Sequence, residues 1–338
     1  MKISPYFGLL LLGLLFVLSC DENPVIPIDE CGVSYGDNST CLGCDDVPNS
    51  GLFLDDCGVC GGNNESMDDC GVCGGNNESM DDCGVCYGNT IEVCGSCDYI
   101  YLFGECYSIE ETTELDLQNT QLTTISPKIG KLINLRKLYL QMNELTSIPP
   151  EIGNLINLKE LDLRINNLTT IPPEIWNLIN LEYLNIRNNN LKGEISIEIG
   201  NLINLEELRL NNNELTGEIP FKLGELTSLE YLRLDNNELV GEIPSEIGNL
   251  INLETLDLGD NQLIGEIPSE IGDLTNLYYF TYELYLDNNQ LTGQIPIEIC
   301  SQGNSYPNIG DNQLCPPYPS CISQTDINSQ DTSNCPED

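Results

Sequence analysis

A phrase of 23 or 24 residues repeats through the middle of this chain and constrains its fold more than any other feature. Each copy has leucines in the spacing Leu-x-x-Leu-x-Leu, then an asparagine and, in the later copies, Gly-Glu-Ile-Pro. A tandem period of this length predicts a solenoid, because each unit is too small to stand alone and packs on its neighbours. The asparagines of six copies are Asn143, Asn166, Asn189, Asn213, Asn237 and Asn261.

The leucine spacing predicts the local structure of each unit. Leu208 and Leu210 alternate with polar residues, as in a short strand with one buried face. Successive strands would stack into a parallel sheet, and Asn213 offers amide donors and an acceptor to backbone groups left bare where the chain leaves the strand. Pro220 keeps the returning segment extended or turned, and Glu-Ile-Gly-Asn-Leu segments form the convex side. The sequence therefore predicts an α/β solenoid with a parallel concave β-sheet.

These copies resemble the plant-type subclass of leucine-rich repeats, whose consensus is Leu-x-x-Leu-x-Leu-x-x-Asn-x-Leu-x-Gly-x-Ile-Pro. The resemblance covers residues 112–314 and implies a horseshoe whose concave face binds other molecules. The chain departs from the consensus in two places. The units ending at Ile148 and Ile171 lack the Gly-Glu insertion, and residues 280–283 form a four-residue insertion in the last full unit.

The beginning of the chain predicts export. A short basic start, an apolar run over residues 6–18 and a small residue before Cys20 are typical of a signal peptide, here residues 1–19. Val17-Leu18-Ser19-Cys20 resembles a bacterial lipobox, which implies acylation of Cys20; an ordinary cleaved signal is the alternative. We therefore expect a lipid-anchored protein at a bacterial cell surface or outer membrane, with secretion as the alternative, and membrane contact only through the lipid.

Composition divides the rest of the chain into segments. We predict an acidic tether at residues 20–30, a cysteine-rich stalk with a 13-residue period at 31–98, and an N-terminal cap at 99–114. The repeats follow at 115–299, then a cysteine-bearing C-terminal cap and a loose polar tail at 300–338. The stalk resembles Asp-Cys-Gly-Val-Cys-Gly-Gly arrays found in exported bacterial proteins.

Cysteine usage favours disulfides. Of 17 cysteines, Cys20 is assigned to lipid, and even numbers remain in the stalk region and in the C-terminal region. Zinc bound by Cys-x-x-Cys pairs is an alternative, and the Asp-Asp pairs of the stalk could ligate Ca²⁺, so any metal stays unassigned; we expect no other cofactor. The disulfide candidates are Cys57, Cys60, Cys70, Cys73, Cys83, Cys86, Cys94, Cys97, Cys300, Cys315, Cys321 and Cys335.

Charge and residue types exclude several functions. A formal net charge of −42 disfavours binding to nucleic acid or to anionic membranes. The chain has no histidine, which removes Ser-His-Asp and Cys-His catalysis, and it has no glycine-rich phosphate-binding motif. We therefore expect no catalytic residues and no enzyme activity.

The outward positions of the concave strands are the candidate ligand-binding site. Aromatic and arginine side chains supply most of the binding energy at protein interfaces, and we expect an extracellular protein or an anionic glycan as partner. In the alternative, the cations only balance neighbouring acids. Adhesion or recognition at the cell surface is the predicted function; inhibition of a secreted enzyme and a structural surface-layer role are alternatives. The candidate residues are Arg136, Lys137, Tyr139, Lys159, Tyr183, Arg209, Tyr231, Arg233 and Tyr285, with Arg164 and Arg187 just past the strands.

Overall fold

A computed structural model describes residues 98–277, 284–300 and 307–336. All of them belong to one compact unit, Ser96–Asp338. The predicted signal peptide, Cys20, the tether and the stalk with its cysteines up to Cys97 lie outside the described residues. The predicted insertion at residues 280–283 lies outside them as well.

The unit begins with an antiparallel hairpin of two strands, β1 (Tyr99–Leu102) and β2 (Glu105–Ser108). Ile100 and Leu102 point from β1 into the leucine core and are almost fully buried. Cys106 in β2 is disulfide-bonded. The hairpin thus adds apolar side chains at the end of the solenoid, where the first repeat has no preceding repeat to pack on.

The repeats contribute one short strand each to an eight-stranded parallel sheet, and consecutive repeats are neighbours in that sheet. The central leucine of each strand, such as Leu208, points into the core and pairs in register with the central leucine of the next strand. This confirms the predicted parallel sheet. The strands in sheet order are β3 (Glu114–Asp116), β4 (Lys137–Tyr139), β5 (Glu160–Asp162), β6 (Tyr183–Asn185), β8 (Glu207–Arg209), β10 (Tyr231–Arg233), β11 (Thr255–Asp257) and β13 (Leu284–Tyr285).

The Gly-Glu insertion of the longer repeats forms additional parallel pairs beside the main sheet. They are β7 (Lys192–Glu194) with β9 (Glu214–Thr216), and β12 (Ile264–Glu266) with β14 (Gln290–Thr292). The inserted glycine is required by the backbone: Gly241 has φ 79°, and a Cβ there would lie 2.7 Å from Glu218 Cγ.

The convex side is made of single-turn 3-10 helices, formed by the Glu-Ile-Gly-Asn-Leu segments and their counterparts that the sequence assigns to this side. Each is too short for an α-helical hydrogen-bond ladder, because only five residues separate the preceding extended segment from the next buried leucine. Neighbouring turns pack closely: a Cβ on Gly224 would lie 2.3 Å from Glu246 O. The helices are Pro127–Lys131, Pro150–Asn154, Pro173–Asn177, Ile197–Asn201, Phe221–Glu225, Ser245–Asn249, Ser269–Asp273 and Ile297–Cys300.

The C-terminal segment packs against the last repeat, so the prediction of a loose tail is wrong up to residue 336. Disulfides Cys300–Cys321 and Cys315–Cys335 confirm the predicted crosslinks here. A short helix, α1 (Gln324–Asn328), leads to Gln330. The Gln330 side chain accepts a hydrogen bond from Leu314 N at 3.1 Å and donates to Ile309 O at 2.9 Å. These are the contacts that the next repeat's asparagine would make.

Candidate functional site

The register of the main sheet arranges the outward side chains of the concave face in rows that run across the strands. The first row contains Glu114, Lys137, Glu160, Tyr183, Glu207, Tyr231 and Thr255. The second row contains Asp116, Tyr139, Asp162, Asn185, Arg209, Arg233, Asp257 and Tyr285. A third row lies two residues further along each strand and contains Gln118, Gln141, Arg164, Arg187, Asn211, Asp235 and Asp287.

All nine predicted residues lie on or directly before these rows. Arg209 and Arg233 are register partners on adjacent strands, so the sheet places these two residues side by side. Lys137, Tyr183 and Tyr231 lie in the first row, and Tyr139 and Tyr285 lie in the second. Arg136 and Lys159 precede β4 and β5, at the edge of the face.

Most of these cations have carboxylate neighbours. Lys137 Nζ lies 2.6 Å from Glu160 Oε1, Lys159 Nζ 2.5 Å from Glu182 Oε1, and Arg164 Nε 3.4 Å from Asp162 Oδ2. Arg209 Nε approaches Glu207 Oε1 to 2.6 Å without the alignment of a hydrogen bond. The concave face therefore carries both cations and many carboxylates. This agrees with the alternative stated above, in which the cations balance neighbouring acidic side chains.

The predicted tyrosines are held by polar neighbours. Tyr139 donates its hydroxyl proton to Glu160, and burial together with that carboxylate raises the pKa of Tyr139 to about 12. Tyr231 donates to Glu254 Oε2 at 2.5 Å, and this hydrogen bond, with burial, raises its pKa to about 12. Both phenols stay protonated at neutral pH with the proton directed at a carboxylate, and they present fixed ring surfaces and a hydroxyl oxygen that can accept.

Sequence reasoning missed the most unusual feature of the face, which is the third row. Four of its side chains carry a polar atom that is buried and has no hydrogen-bond partner within the described chain: Gln141 Oε1, Arg187 Nε, Asn211 Oδ1 and Asp235 Oδ1. Gln141 and Asn211 are only 6% and 4% exposed. In the sequence, this row corresponds to a residue, usually polar, two positions after each strand. The repeat pattern does not show which of these side chains have hydrogen-bond partners and which do not.

A cavity of about 270 Å³ opens on the first four strands of the sheet, and we call it the N-terminal cavity. Two tyrosines, two glutamines, three carboxylates and one arginine line it, so every lining side chain carries a polar group. It includes two of the predicted residues and Arg164. The lining residues are Asp116, Gln118, Tyr139, Gln141, Glu160, Asp162, Arg164 and Tyr183.

The described residues offer little for a metal ion. Within the ranges given above, no group of three or more Cys, Asp or Glu side chains is arranged to hold one. The Cys-x-x-Cys and Asp-Asp pairs for which zinc or calcium was considered lie outside these ranges. No helix of the described part is long and apolar enough to cross a membrane.

Comparisons with known proteins agree with this architecture. Three family models match: a leucine-rich repeat region at residues 112–219, a two-copy leucine-rich repeat at 203–249, and single leucine-rich repeats at 252–274 and 281–302. A comparison with curated proteins found no match. The models together cover the repeats that were recognised from the leucine spacing.

Solved structures with the same fold include plant receptor ectodomains. That of Arabidopsis thaliana GASSHO1/SCHENGEN3, in complex with CASPARIAN STRIP INTEGRITY FACTOR 2, is 41% identical over 56% of this chain and 23% of its own, with TM-score 0.53. That of Arabidopsis HAESA, in complex with the peptide hormone IDA and the co-receptor SERK1, is 37% identical over 57% and 32%, with TM-score 0.52. The chain thus spans a third or less of these ectodomains.

A plant ice-binding protein is similar over a larger share of both chains. It is 27% identical over 69% of this chain and 84% of its own, with TM-score 0.51. The family models, the parallel sheet and these structures point to the same architecture. The chain therefore contains a leucine-rich-repeat domain.

Proposed function

We propose that the concave face binds a peptide or protein ligand. The observation that carries this proposal is the line of unpaired buried atoms on Gln141, Arg187, Asn211 and Asp235. A buried donor or acceptor left without a partner costs about 1–3 kcal/mol. An extended peptide carries one N–H and one C=O group per residue, so a peptide lying along the row would recover that cost at several positions.

The receptor ectodomains support this proposal, since that of HAESA was solved with the peptide hormone IDA bound and that of GASSHO1/SCHENGEN3 with CASPARIAN STRIP INTEGRITY FACTOR 2. The second row adds Arg209 and Arg233 beside Tyr231, which are residue types that dominate binding energy at interfaces. Because carboxylates outnumber cations on the face, we now favour a peptide or protein over the anionic glycan.

A peptide library screened against the immobilised full chain tests the proposal. Charge reversal at both Arg209→Glu and Arg233→Glu should weaken the selected peptides at least about tenfold, which corresponds to ~1.4 kcal/mol. Lys222→Glu is the matched control, because Lys222 lies on the convex helix Phe221–Glu225, where its side chain pairs with Glu225 and lies over the Phe221 ring of the same helix. Peptides that bind the double variant and the native chain equally would contradict a concave binding site.

We infer that binding takes place outside the cytoplasm. Disulfides Cys300–Cys321 and Cys315–Cys335 are typical of chains that mature in oxidising compartments, and the signal peptide predicted from the sequence agrees with them. Anchoring through Cys20 remains a prediction. Mass spectrometry of the mature protein should find a diacylated or triacylated Cys20 at the N-terminus; a mature chain that begins elsewhere, or carries a free Cys20, would contradict the anchor.

A second candidate function is binding to ice. Two observations favour it: the similarity to a plant ice-binding protein and one regular feature of the surface. Between each convex helix and the next strand, the repeats place an aliphatic or threonine side chain at one register position. The isoleucines at this position are more than half exposed. This ladder consists of Ile133, Ile156, Ile179, Ile203, Thr227, Ile251 and Thr275.

The ladder is held rigidly. Asn157 donates to Ile133 O at 2.9 Å, and Asn180 donates to Ile156 O at 2.8 Å. Asparagines of the following repeats bind Ile179 O and Thr227 O in the same way. Stacked strands repeat at about 4.8 Å. A periodic, rigid apolar array suits a periodic partner surface, whereas protein surfaces lack such a period.

Ice recrystallisation in the presence of the full chain tests this candidate. The native chain should slow crystal coarsening, and the double variant Ile179→Asp with Ile203→Asp should lose the effect. Phe221→Asp, which changes an exposed apolar residue on the convex side, should leave it unchanged. Coarsening at the same rate with and without the native chain would exclude ice binding.

A further inference from the structure

The N-terminal cavity has a charge imbalance that points to a cationic ligand group. Its wall contains the three carboxylates of Asp116, Glu160 and Asp162 and one cation, Arg164, which gives −3 + 1 = −2. Lys137 neutralises Glu160 from outside the cavity, at 2.6 Å, and including it leaves −1. The cavity therefore favours a group that brings positive charge.

The hydrogen-bonding groups of the cavity require donors from the ligand. Gln141 donates its Nε2 to Gln118 Oε1 at 3.1 Å, so its carbonyl oxygen is the atom left over. That oxygen is buried and has no partner in the described structure. Asp116 accepts from Gln118 N at 3.1 Å and from Gln118 Nε2 at 2.8 Å, and both donors are neutral. An incoming N–H group would satisfy Gln141 and pair with Asp116.

The aromatic side chains favour a planar cation. Tyr139 is fixed by its hydrogen bond to Glu160, and Tyr183 accepts from Asn185 Nδ2 at 2.7 Å. Guanidinium groups bind well where carboxylates lie beside aromatic rings, because they combine several in-plane donors with a face that stacks. At about 270 Å³ the cavity is smaller than the pockets that enclose whole small molecules, and suits one side chain.

We propose that the N-terminal cavity receives a basic side chain of the ligand, with arginine preferred over lysine. The proposal rests on the proposed function, because the side chain would belong to a peptide or protein lying along the third row. Gln141 would accept one guanidinium N–H, and Asp116 would supply the countercharge, because Asp162 and Glu160 already have Arg164 and Lys137 beside them. The cavity would thereby set where along the sheet the ligand lies.

Two small probes test the chemistry of the cavity without a known ligand. Nα-acetyl-arginine amide and its neutral isostere Nα-acetyl-citrulline amide should be titrated into the full chain at millimolar concentration and followed by calorimetry. The arginine probe should bind saturably, and the citrulline probe at least about fivefold more weakly. Equal binding of the two probes, or no saturable binding of the arginine probe, would overturn the proposal.

Variants connect the binding to named residues. Asp116→Asn and Gln141→Leu should each weaken the arginine probe at least about fivefold. The control is Glu114→Gln, which makes the same charge change as Asp116→Asn on the same strand but does not line the cavity. Asp116 is exposed, so Asp116→Asn tests the site even if Gln141→Leu fails to fold. Undiminished binding by Asp116→Asn would overturn the proposal.

The peptide library separates this inference from the proposed function. Selected peptides that depend on Arg209 and Arg233 but contain no Lys or Arg would retain the concave binding site and overturn the basic side chain. Saturable binding of the arginine probe without any selected peptide would support the cavity and overturn the peptide ligand.

Discussion

At the scale of single residues, the asparagine of each repeat explains why the units stack. Asn189 donates to Leu163 O at 3.0 Å and to Ile186 O at 2.9 Å, and accepts from Leu168 N at 3.0 Å. Leu163 and Leu168 belong to the preceding repeat, so the amide joins the two repeats through one donor and one acceptor, while its second donor binds Ile186 in its own repeat. Aspartate has no donors and alanine has neither, so asparagine is the short side chain that satisfies all three backbone groups.

Asn189→Ala should lower the free energy of unfolding by about 3 kcal/mol, because buried carbonyl and amide groups lose their partners. Urea unfolding followed by circular dichroism measures the change. Asn190→Ala is the control, since the neighbouring side chain is exposed and makes one long contact, 3.5 Å to Glu214 Oε1. A loss below about 1 kcal/mol for Asn189→Ala would show that water replaces the amide adequately.

The acidic end of the second row makes stability depend on pH. Burial and the neighbouring Asp235 raise the pKa of Asp257 to about 7, while Arg233 opposes the shift and Asp287 adds to it. Between the ordinary value near 4 and about 7 the folded state holds more protons than the unfolded state. Stability should therefore fall as pH rises through this window.

Asp257→Asn should remove the loss of folding stability that accompanies deprotonation of this carboxyl. The variant should be about 1–2 kcal/mol more stable than the native chain at pH 8, and most of the gain should be lost by about pH 4 and all of it by about pH 3, where the carboxyl is protonated in both states. Thermal unfolding at several pH values measures it. Asp273→Asn, which removes an exposed charge on a convex helix, should show no such pH-dependent gain. A gain that persists unchanged at pH 4 would point to a cause other than titration.

At the scale of elements, the turn after each strand is built on a left-handed residue. Asn188, Asn212 and Asn236 occupy this position with φ of 56°, 56° and 53°. Asparagine tolerates this conformation, whereas a β-branched side chain is strained in it. The third repeat nevertheless has Ile165 there, with φ 56° and an exposed side chain.

Ile165→Asn should therefore raise the free energy of unfolding by about 1 kcal/mol, because it relieves backbone strain and loses little buried surface. Chemical denaturation is again the measurement. Ile156→Asn is the matched control: it makes the same exchange at an exposed position outside the positive-φ turns, and should give no gain. An equal gain in both variants would mean that replacing an exposed apolar side chain by a polar one, and not the relief of backbone strain, stabilises the protein.

The convex side contains one element that the repeat pattern left unexplained. In Pro173–Asn177, Trp176 stands where the other five-residue helices have glycine, and it is almost fully buried. The next repeat is the first with the Gly-Glu insertion, and an apolar cavity of about 240 Å³ lies at this junction. The bulky ring fills space at the point where the repeat length changes from 23 to 24 residues.

At the scale of the whole molecule, the periodic features were predictable and the singular ones were not. The leucines and asparagines indicated the sheet, its direction and its register, because each unit repeats the same contacts. The N-terminal cavity depends on side chains from consecutive repeats that the consensus leaves variable. The docking of Gln330 also escaped prediction, because no period connects it to Leu314.

Gln330→Ala should loosen the last repeat without unfolding the rest. Hydrogen exchange at the Leu314 amide should speed up at least about tenfold, while the amide of Leu210 in the central repeats should keep its rate. Gln324→Ala is the control, because its side chain bonds only locally to Asn328. Equal acceleration in central and terminal repeats would mean that the solenoid unfolds as a single cooperative unit.

The closure by Gln330 has a consequence for how such a chain can change its length. The segment that closes the last repeat has its own disulfide, Cys315–Cys335, so this closure does not depend on how many repeats precede it. Repeats between residues 205 and 268 could be duplicated or deleted while the N-terminal hairpin and the C-terminal segment still cover the two ends of the core. The length of the solenoid can therefore change by one whole repeat at a time, a form of variation that a globular domain with one shared interior does not offer.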